Sequence, residues 1–514
     1  MKINRASVFY TASILGISSV ILQAIGFIYR IFLTNMAGTE ALGVYKLTMQ
    51  LYSVILSVST SGVCLVATNR SAMYFSRGKI EKIKTTIKCC VLVFLSILGT
   101  CAIIVTAFPE FIATNILGDV RTQDAIYIML VCILLTGIEN IIKNSLIGIK
   151  KVKYTTFSEI TEQILRVIIV LSLIYNFGDD NYAKIAFLIV LGMTMSEIFS
   201  IIFLGVCYKK IYKTDRKNND KLLCDVVSVA IPISLAAAIN NVISSASTVL
   251  LPKMLVKAGF THAEALSELG IISGIAMPLI LLPIAIISSY AMVVMPNISK
   301  SKASFDTVNI TRKINKSFEA TGLIGIPATV FLVYLSQPLG KLLFSTEFPK
   351  FYIEMIGLSV IFMYYQITSA SILNGLGHEK KVVFHSVIGE FVQLAITVLL
   401  CQIPSINIYG YIVGMIASPL IVCSLNSTYI FKTERFNFTK FVLNPVFCSG
   451  FLYIAIKFSF IISSYYLASE ITTIAITVGV GTVFYALILR AFGINYVQYV
   501  KNLNIKQNMQ FKFK

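Results

Sequence analysis

Long apolar stretches alternate with short polar ones from one end of the chain to the other. A run of about 18 or more apolar residues with few charges can cross the ~30 Å hydrocarbon core of a bilayer as a helix. Such runs fall near residues 8–34, 43–68, 85–108, 123–148, 157–177, 183–207, 224–251 and 269–295, and again near 319–336, 352–374, 382–401, 408–431, 441–466 and 471–492. The pattern predicts an all-α, polytopic membrane protein with 14 transmembrane helices. The polar connections are too short to hold a folded soluble domain. Lys2 and Arg5 precede the first run, which is too long for the apolar core of a cleaved signal peptide and is expected to be span one.

Composition narrows the class. Of 514 residues, 56% are hydrophobic and 13% charged, about half the charge fraction of a soluble domain, which excludes a soluble enzyme. The 43 basic residues are distributed unevenly. Thirty-two fall in alternate loops and at the two ends, among them Arg70, Arg77, Lys79, Lys150, Lys209, Lys313, Lys381 and Lys432; six fall in the opposite loops and five within spans. Cytoplasmic loops carry the excess of Lys and Arg, so both termini are expected to be cytoplasmic, in the cell membrane. The net charge of +19 then marks topology and contact with anionic lipids; scattered over short loops, it does not point to nucleic acid. Tryptophan is absent, leaving 25 tyrosines for the interfacial belt. The ten cysteines form no C-x-x-C pair and His262, His378 and His385 make no ligand cluster, so no metal site and no cofactor is expected.

Two segment pairs suggest an internal repeat. Asn144-Ser145-Leu146 with Lys150-Lys151-Val152 matches Asn374-Gly375-Leu376 with Lys380-Lys381-Val382, and Asn69-Arg70-Ser71 matches Asn297-Ile298-Ser299. The expected organisation is a first six-helix bundle over residues 1–210, a basic cytoplasmic linker at 211–222, a second six-helix bundle over 223–432, and helices 13 and 14 with a cytoplasmic tail over 433–514. Two parallel repeats of even span number suit alternating access.

Ionisable residues inside spans cost about 2.5–3.5 kcal/mol each and are functional candidates by default. Glu139 and Lys143 lie four apart on one helix, as do Glu162 and Arg166, so each couple can neutralise itself on one face and be structural. Glu197 and Glu390 have no such neighbour and are candidates for ion coupling. Arg30 has no acid three or four positions away, and Lys46 follows just after the next turn. A guanidinium and an ammonium facing one cavity suit an anionic phosphate, which makes Arg30 and Lys46, with Arg166, the substrate-binding candidates; snorkelling to the headgroups is the alternative. Pro278 and Pro283 interrupt span eight and are possible hinges.

There is no P-loop, no H-E-x-x-H and no G-x-S-x-G, and the loops at 109–122, 252–268 and 337–351 are too short for a catalytic domain. No enzyme activity and no catalytic residue is expected. Gly26-Phe27-Ile28-Tyr29-Arg30, Ala37-Gly38, Gly43-Val44-Tyr45, Glu162-Gln163 with Arg166, Gly274-Ile275-Ala276-Met277-Pro278-Leu279 and the Asn374-Gly375-Leu376-Gly377 turn resemble the stage V sporulation protein B family. That family lies in the multidrug/oligosaccharidyl-lipid/polysaccharide exporter superfamily. The resemblance implies a MATE-like fold and transport of an undecaprenyl-pyrophosphate-linked saccharide. It also implies spore cortex or polysaccharide synthesis as the setting and cell-wall synthases as partners. By position it implies that Arg30 holds the pyrophosphate with Lys46 assisting. A cation-coupled multidrug antiporter of the same superfamily is the alternative.

Overall fold

A computed structural model describes residues 5–179, 181–211, 220–281, 283–303, 307–344, 350–432, 443–466 and 469–493. Most of the expected basic linker and the C-terminal tail lie outside these residues. The helices are α1 (Arg5–Ala37), α2 (Thr39–Ser76), α3 (Ile80–Ala107), α4 (Gln123–Gly148), α5 (Val152–Phe177), α6 (Tyr182–Ile211), α7 (Asp220–Lys257) and α8 (His262–Gly270). They continue with α9 (Ile284–Ala303), α10 (Thr307–Phe344), α11 (Lys350–Gly375), α12 (Glu379–Leu400), α13 (Ile408–Phe431), α14 (Asn444–Tyr466) and α15 (Glu470–Ala491). No strand occurs among the described residues. Twelve helices are long and apolar enough to cross a membrane, and thirteen if α8, its extension and α9 count as one broken span. The fourteenth expected span falls on α5, which carries Glu159, Glu162 and Arg166 and is not among them.

The described chain forms two compact units, one of residues 1–278 with 386–418, the other of 279–385 with 419–514. Lipid offers no hydrophobic drive between helices, so spans associate through small residues and interhelical hydrogen bonds. In the first unit α2 supplies both. A Cβ at Gly62 would stand 1.9 Å from the Ala230 carbonyl of α7, and the Gly62 amide donates to Ser234 Oγ at 3.0 Å. Along the same seam Asn241 Nδ2 donates to Ser57 Oγ at 2.9 Å and Ser53 meets Ser245 at 3.3 Å. Toward the end expected to face outward, Gly43 lies against the Leu266 carbonyl and Gly270 against that of Thr39, where added Cβ atoms would stand 2.3 and 1.8 Å away. Thr39 and Ser267 share a 2.8 Å hydrogen bond there.

The expected hinge prolines stand where regular helix fails. After α8 the chain widens into a π-helical turn over Ile271–Ala276, makes one further turn at Met277–Ile280, and resumes as α9. Proline has no amide hydrogen, so Pro278 leaves the Gly274 carbonyl, four residues back, without its helical donor. Thr34 of α1 donates to that carbonyl at 3.3 Å. The second unit repeats the device: Pro327 lies inside α10, and the carbonyl four residues back, Leu323, accepts from Tyr485 Oη of α15 at 3.1 Å.

The matched sequence pairs occupy matching contacts. In the first unit Ser71 Oγ and Ser145 Oγ meet at 2.8 Å between α2 and α4; in the second, Ser299 Oγ donates to the Gly375 carbonyl at 3.0 Å between α9 and α11. A glycine notch filled by an aromatic ring also recurs with its sides exchanged: Gly137 of α4 faces Phe94 of α3, while Gly325 of α10 faces Tyr364 of α11.

Candidate functional site

The two couples expected to neutralise themselves on separate helices form one network. Lys143 Nζ of α4 lies 2.7 Å from Glu139 Oε1 on its own helix, 3.2 Å from Glu162 Oε2 and 3.9 Å from Glu159 Oε1 on α5. Arg166, one turn beyond Glu162, pairs with its Oε1 and reaches across to Glu197 Oε1 of α6 at 3.2 Å. Arg166 Nε also donates to Ser196 Oγ at 3.4 Å. Ser200 donates to Glu139 and meets Ser158 at 2.6 Å. Helical spacing makes this possible: Glu159, Glu162 and Arg166 follow one another at i, i+3 and i+7, and so share the face of α5 that packs on α4 and α6.

Four carboxylates therefore surround two cations in a setting where Glu139, Lys143, Glu162 and Glu197 are all buried. Oxygens of Glu139, Glu162 and Glu197 approach within 4.8 Å of one another, the one such acidic group among the described residues. Glu197 is 3% exposed, and among the described residues its Oε2 has no hydrogen-bond partner.

Arg166 links this network to the candidates on α1 and α2. Its charge is felt at Tyr29 and Tyr45, as is that of Arg30. Arg30 acts in turn on Lys46. Arg30, Lys46 and Arg166 are thus brought to one neighbourhood around two tyrosines. Their states differ. Arg166 is committed to carboxylates on two helices. Arg30 is exposed, Lys46 half-buried, and among the described residues neither has an acidic partner. The Tyr29 hydroxyl is buried without a hydrogen-bond partner among the described residues, while Tyr45 Oη donates to Met193 Sδ at 3.4 Å. The arrangement offers two uncompensated cations, a free phenol and a buffered third cation, which suits a polyvalent anion.

Glu390 lies elsewhere, on α12, within hydrogen-bonding reach of Ser244 on α7; Tyr411 beside it reaches Thr248. The sequence reading passed over Glu159, Ser158, Ser200, Tyr29 and Tyr45. The i+3 step from Glu159 to Glu162 was visible; that α6 would bring Glu197 to Arg166, 31 positions away, was not. A second polar knot also went unseen at the end expected to face outward. There Arg121 bridges Asp119 at 2.9 Å and Glu40 at 2.7 Å, and His262 Nε2 meets Asp119 Oδ2 at 3.2 Å.

Comparison with known proteins places these features in a family. The chain is similar to stage V sporulation protein B of Bacillus subtilis (strain 168), 21% identical over 434 residues that cover 82% of each protein. It is also similar to the lipid II flippase MurJ of the same organism, 22% identical over 451 residues covering 79% of this chain and 80% of that protein. Among solved structures, the lipid II flippase MurJ in an inward closed conformation matches at a TM-score of 0.70 with 15% identity, over 93% of this chain and 98% of that one. An inward-facing multidrug resistance MATE family transporter matches at 0.65 with 10% identity, over 81% and 98%. The fold is therefore that of the MATE and MurJ transporters. The model of the polysaccharide biosynthesis protein family matches residues 10–302, more than half the chain, and this multi-pass membrane protein belongs to that family.

Proposed function

We propose that the protein is a flippase for an undecaprenyl-pyrophosphate-linked saccharide, a peptidoglycan or polysaccharide precursor. It moves this lipid across the cytoplasmic membrane by alternating access, with both termini cytoplasmic, in support of spore cortex synthesis. It is a transporter and not an enzyme. The observation that carries this reading is the pair Arg30 and Lys46, which share one neighbourhood and have no acidic partner among the described residues. Cations without counter-charges within a span are costly, and a diphosphate supplies the missing charge. The sequence halves 1–210 and 223–432 are the parts that move, and Pro278 and Pro283, within the second half, are the points of bending. Arg30→Ala should insert normally yet lose at least about tenfold in flipping rate in reconstituted vesicles, the value of one charge-assisted contact at ~1.5–3 kcal/mol. Flipping at the wild-type rate would remove Arg30 from the binding role.

The buried carboxylates favour a second reading, a cation-coupled antiporter of the same superfamily, with Glu197 or Glu390 carrying the ion. Ethidium efflux that depends on Glu390 and ignores Arg30 would favour it over the flippase.

A further inference from the structure

The acidic excess beside Arg166 is larger than its cations can balance. Among the described residues, the ion pairs of Glu139, Glu159, Glu162 and Glu197 are with Lys143 and Arg166. Oxygens of Glu139 and Glu197 lie within 4.8 Å of each other, and two carboxylates at that range work against both being charged. An independent sign is Glu197 Oε2, buried and without an acceptor or donor among the described residues. A buried carboxylate oxygen left bare is expensive, whereas the same oxygen carrying a proton toward Glu139 is satisfied. A metal ion fits less well. It needs several oxygen ligands, and here Glu139 and Glu162 already contact Lys143, and Glu162 and Glu197 already contact Arg166, so a third cation would sit against two others.

We propose that Glu197 and Glu139 form a proton seat, and that anionic cargo at Arg30 and Lys46 binds tightly only while that proton is present. The link is Arg166. Among the described residues it touches the carboxylates and also acts on Tyr29 and Tyr45. With the seat loaded, the network has one negative charge fewer and Arg166 can turn part of its field toward a diphosphate. With the seat empty, Arg166 is held by the carboxylates and the excess charge repels the cargo. Among the described residues, the charged and titratable groups facing Glu197 are Glu139 and Cys132 from α4, Glu162 and Arg166 from α5, and Tyr52 from α2. This inference rests on the cargo reading above.

The test is binding of undecaprenyl pyrophosphate to the purified full-length protein in detergent, followed by calorimetry in sodium-free buffer as pH rises. Above about pH 7 the diphosphate ester has largely finished its own titration. Wild-type affinity should then fall with pH, by up to tenfold per unit once the seat empties, with proton uptake on binding in that range. Glu197→Gln mimics the loaded pair and should hold affinity flat at the wild-type low-pH level. A wild-type affinity that does not change with pH, a Glu197→Gln protein that keeps the slope, or sodium restoring affinity at high pH each overturns the proposal. Should Glu197→Gln fail to fold, the infrared carbonyl stretch of a protonated buried carboxyl in the wild type decides, and its absence at neutral pH sinks the idea. Arg30→Ala separates the two readings. Undiminished binding there defeats the cargo site, while the infrared band and its loss in Glu139→Gln still judge the proton seat.

Discussion

Replacing Lys143 with methionine isolates the energetics of the carboxylate network. The ammonium touches three carboxylates at 2.7, 3.2 and 3.9 Å and is 8% exposed, so solvent screens it little. Methionine fills most of its volume but leaves Arg166 as the single cation among four acids. Breaking a buried pair by removing one partner costs about 3–5 kcal/mol, and the upper half of that range applies because one cation serves several partners. The loss is reported by the melting temperature of the detergent-solubilised protein. It should drop by several degrees near neutral pH. The sign of its pH dependence is fixed by the acids left behind. Protonation removes their unpaired charge, so the gap from wild type should narrow as pH falls toward the carboxylate range. Adding Glu139→Gln to Lys143→Met should restore part of the loss, since the two side chains are in contact. A variant as stable as wild type, or a deficit that is the same at every pH, would refute the view that these charges are buried together.

Gly270→Ala should destabilise by more than about 2 kcal/mol, because its Cβ would stand 1.8 Å from the Thr39 carbonyl and overpacking against backbone has no soft escape. Gly99→Ala, with nothing within 4 Å of the added carbon, should instead raise the melting temperature slightly. Tyr485→Phe leaves the proline-freed Leu323 carbonyl without its donor and should cost about 1–3 kcal/mol; unchanged stability would show that this capping bond contributes nothing.

Much of the architecture was written in hydropathy. Among the described residues each expected span overlaps a helix, with 12 or 13 spans long and apolar enough to cross a membrane, because length and apolarity are local properties. The charge clusters were only half legible. Spacing of three and four residues showed Glu139 beside Lys143 and Glu162 beside Arg166, since both members ride one helix. Nothing local shows that α4, α5 and α6 press those faces together, or that Glu197, which lacks a partner on its own helix, finds one on another. The π-helical turn was likewise invisible, although Pro278 marked the carbonyl that Thr34 caps. The absence of acids near Arg30 in sequence was legible, and among the described residues no acid pairs with Arg30 or Lys46.

The contact between α2 and α8 has a mechanical corollary. At Gly43, Leu266, Thr39 and Gly270 the two helices touch through main-chain atoms and hydroxyl groups, beside the buried side chains of Leu42 and Leu266. A zip of aliphatic side chains would have to expose oily surface to come apart in contact with water, at about 25 cal/mol for each Å². Carbonyls and hydroxyls exchange one hydrogen-bonding neighbour for another when water enters. The main-chain part of this joint is therefore tight when dry and cheap to wet, which fits it to part in the proposed transport cycle.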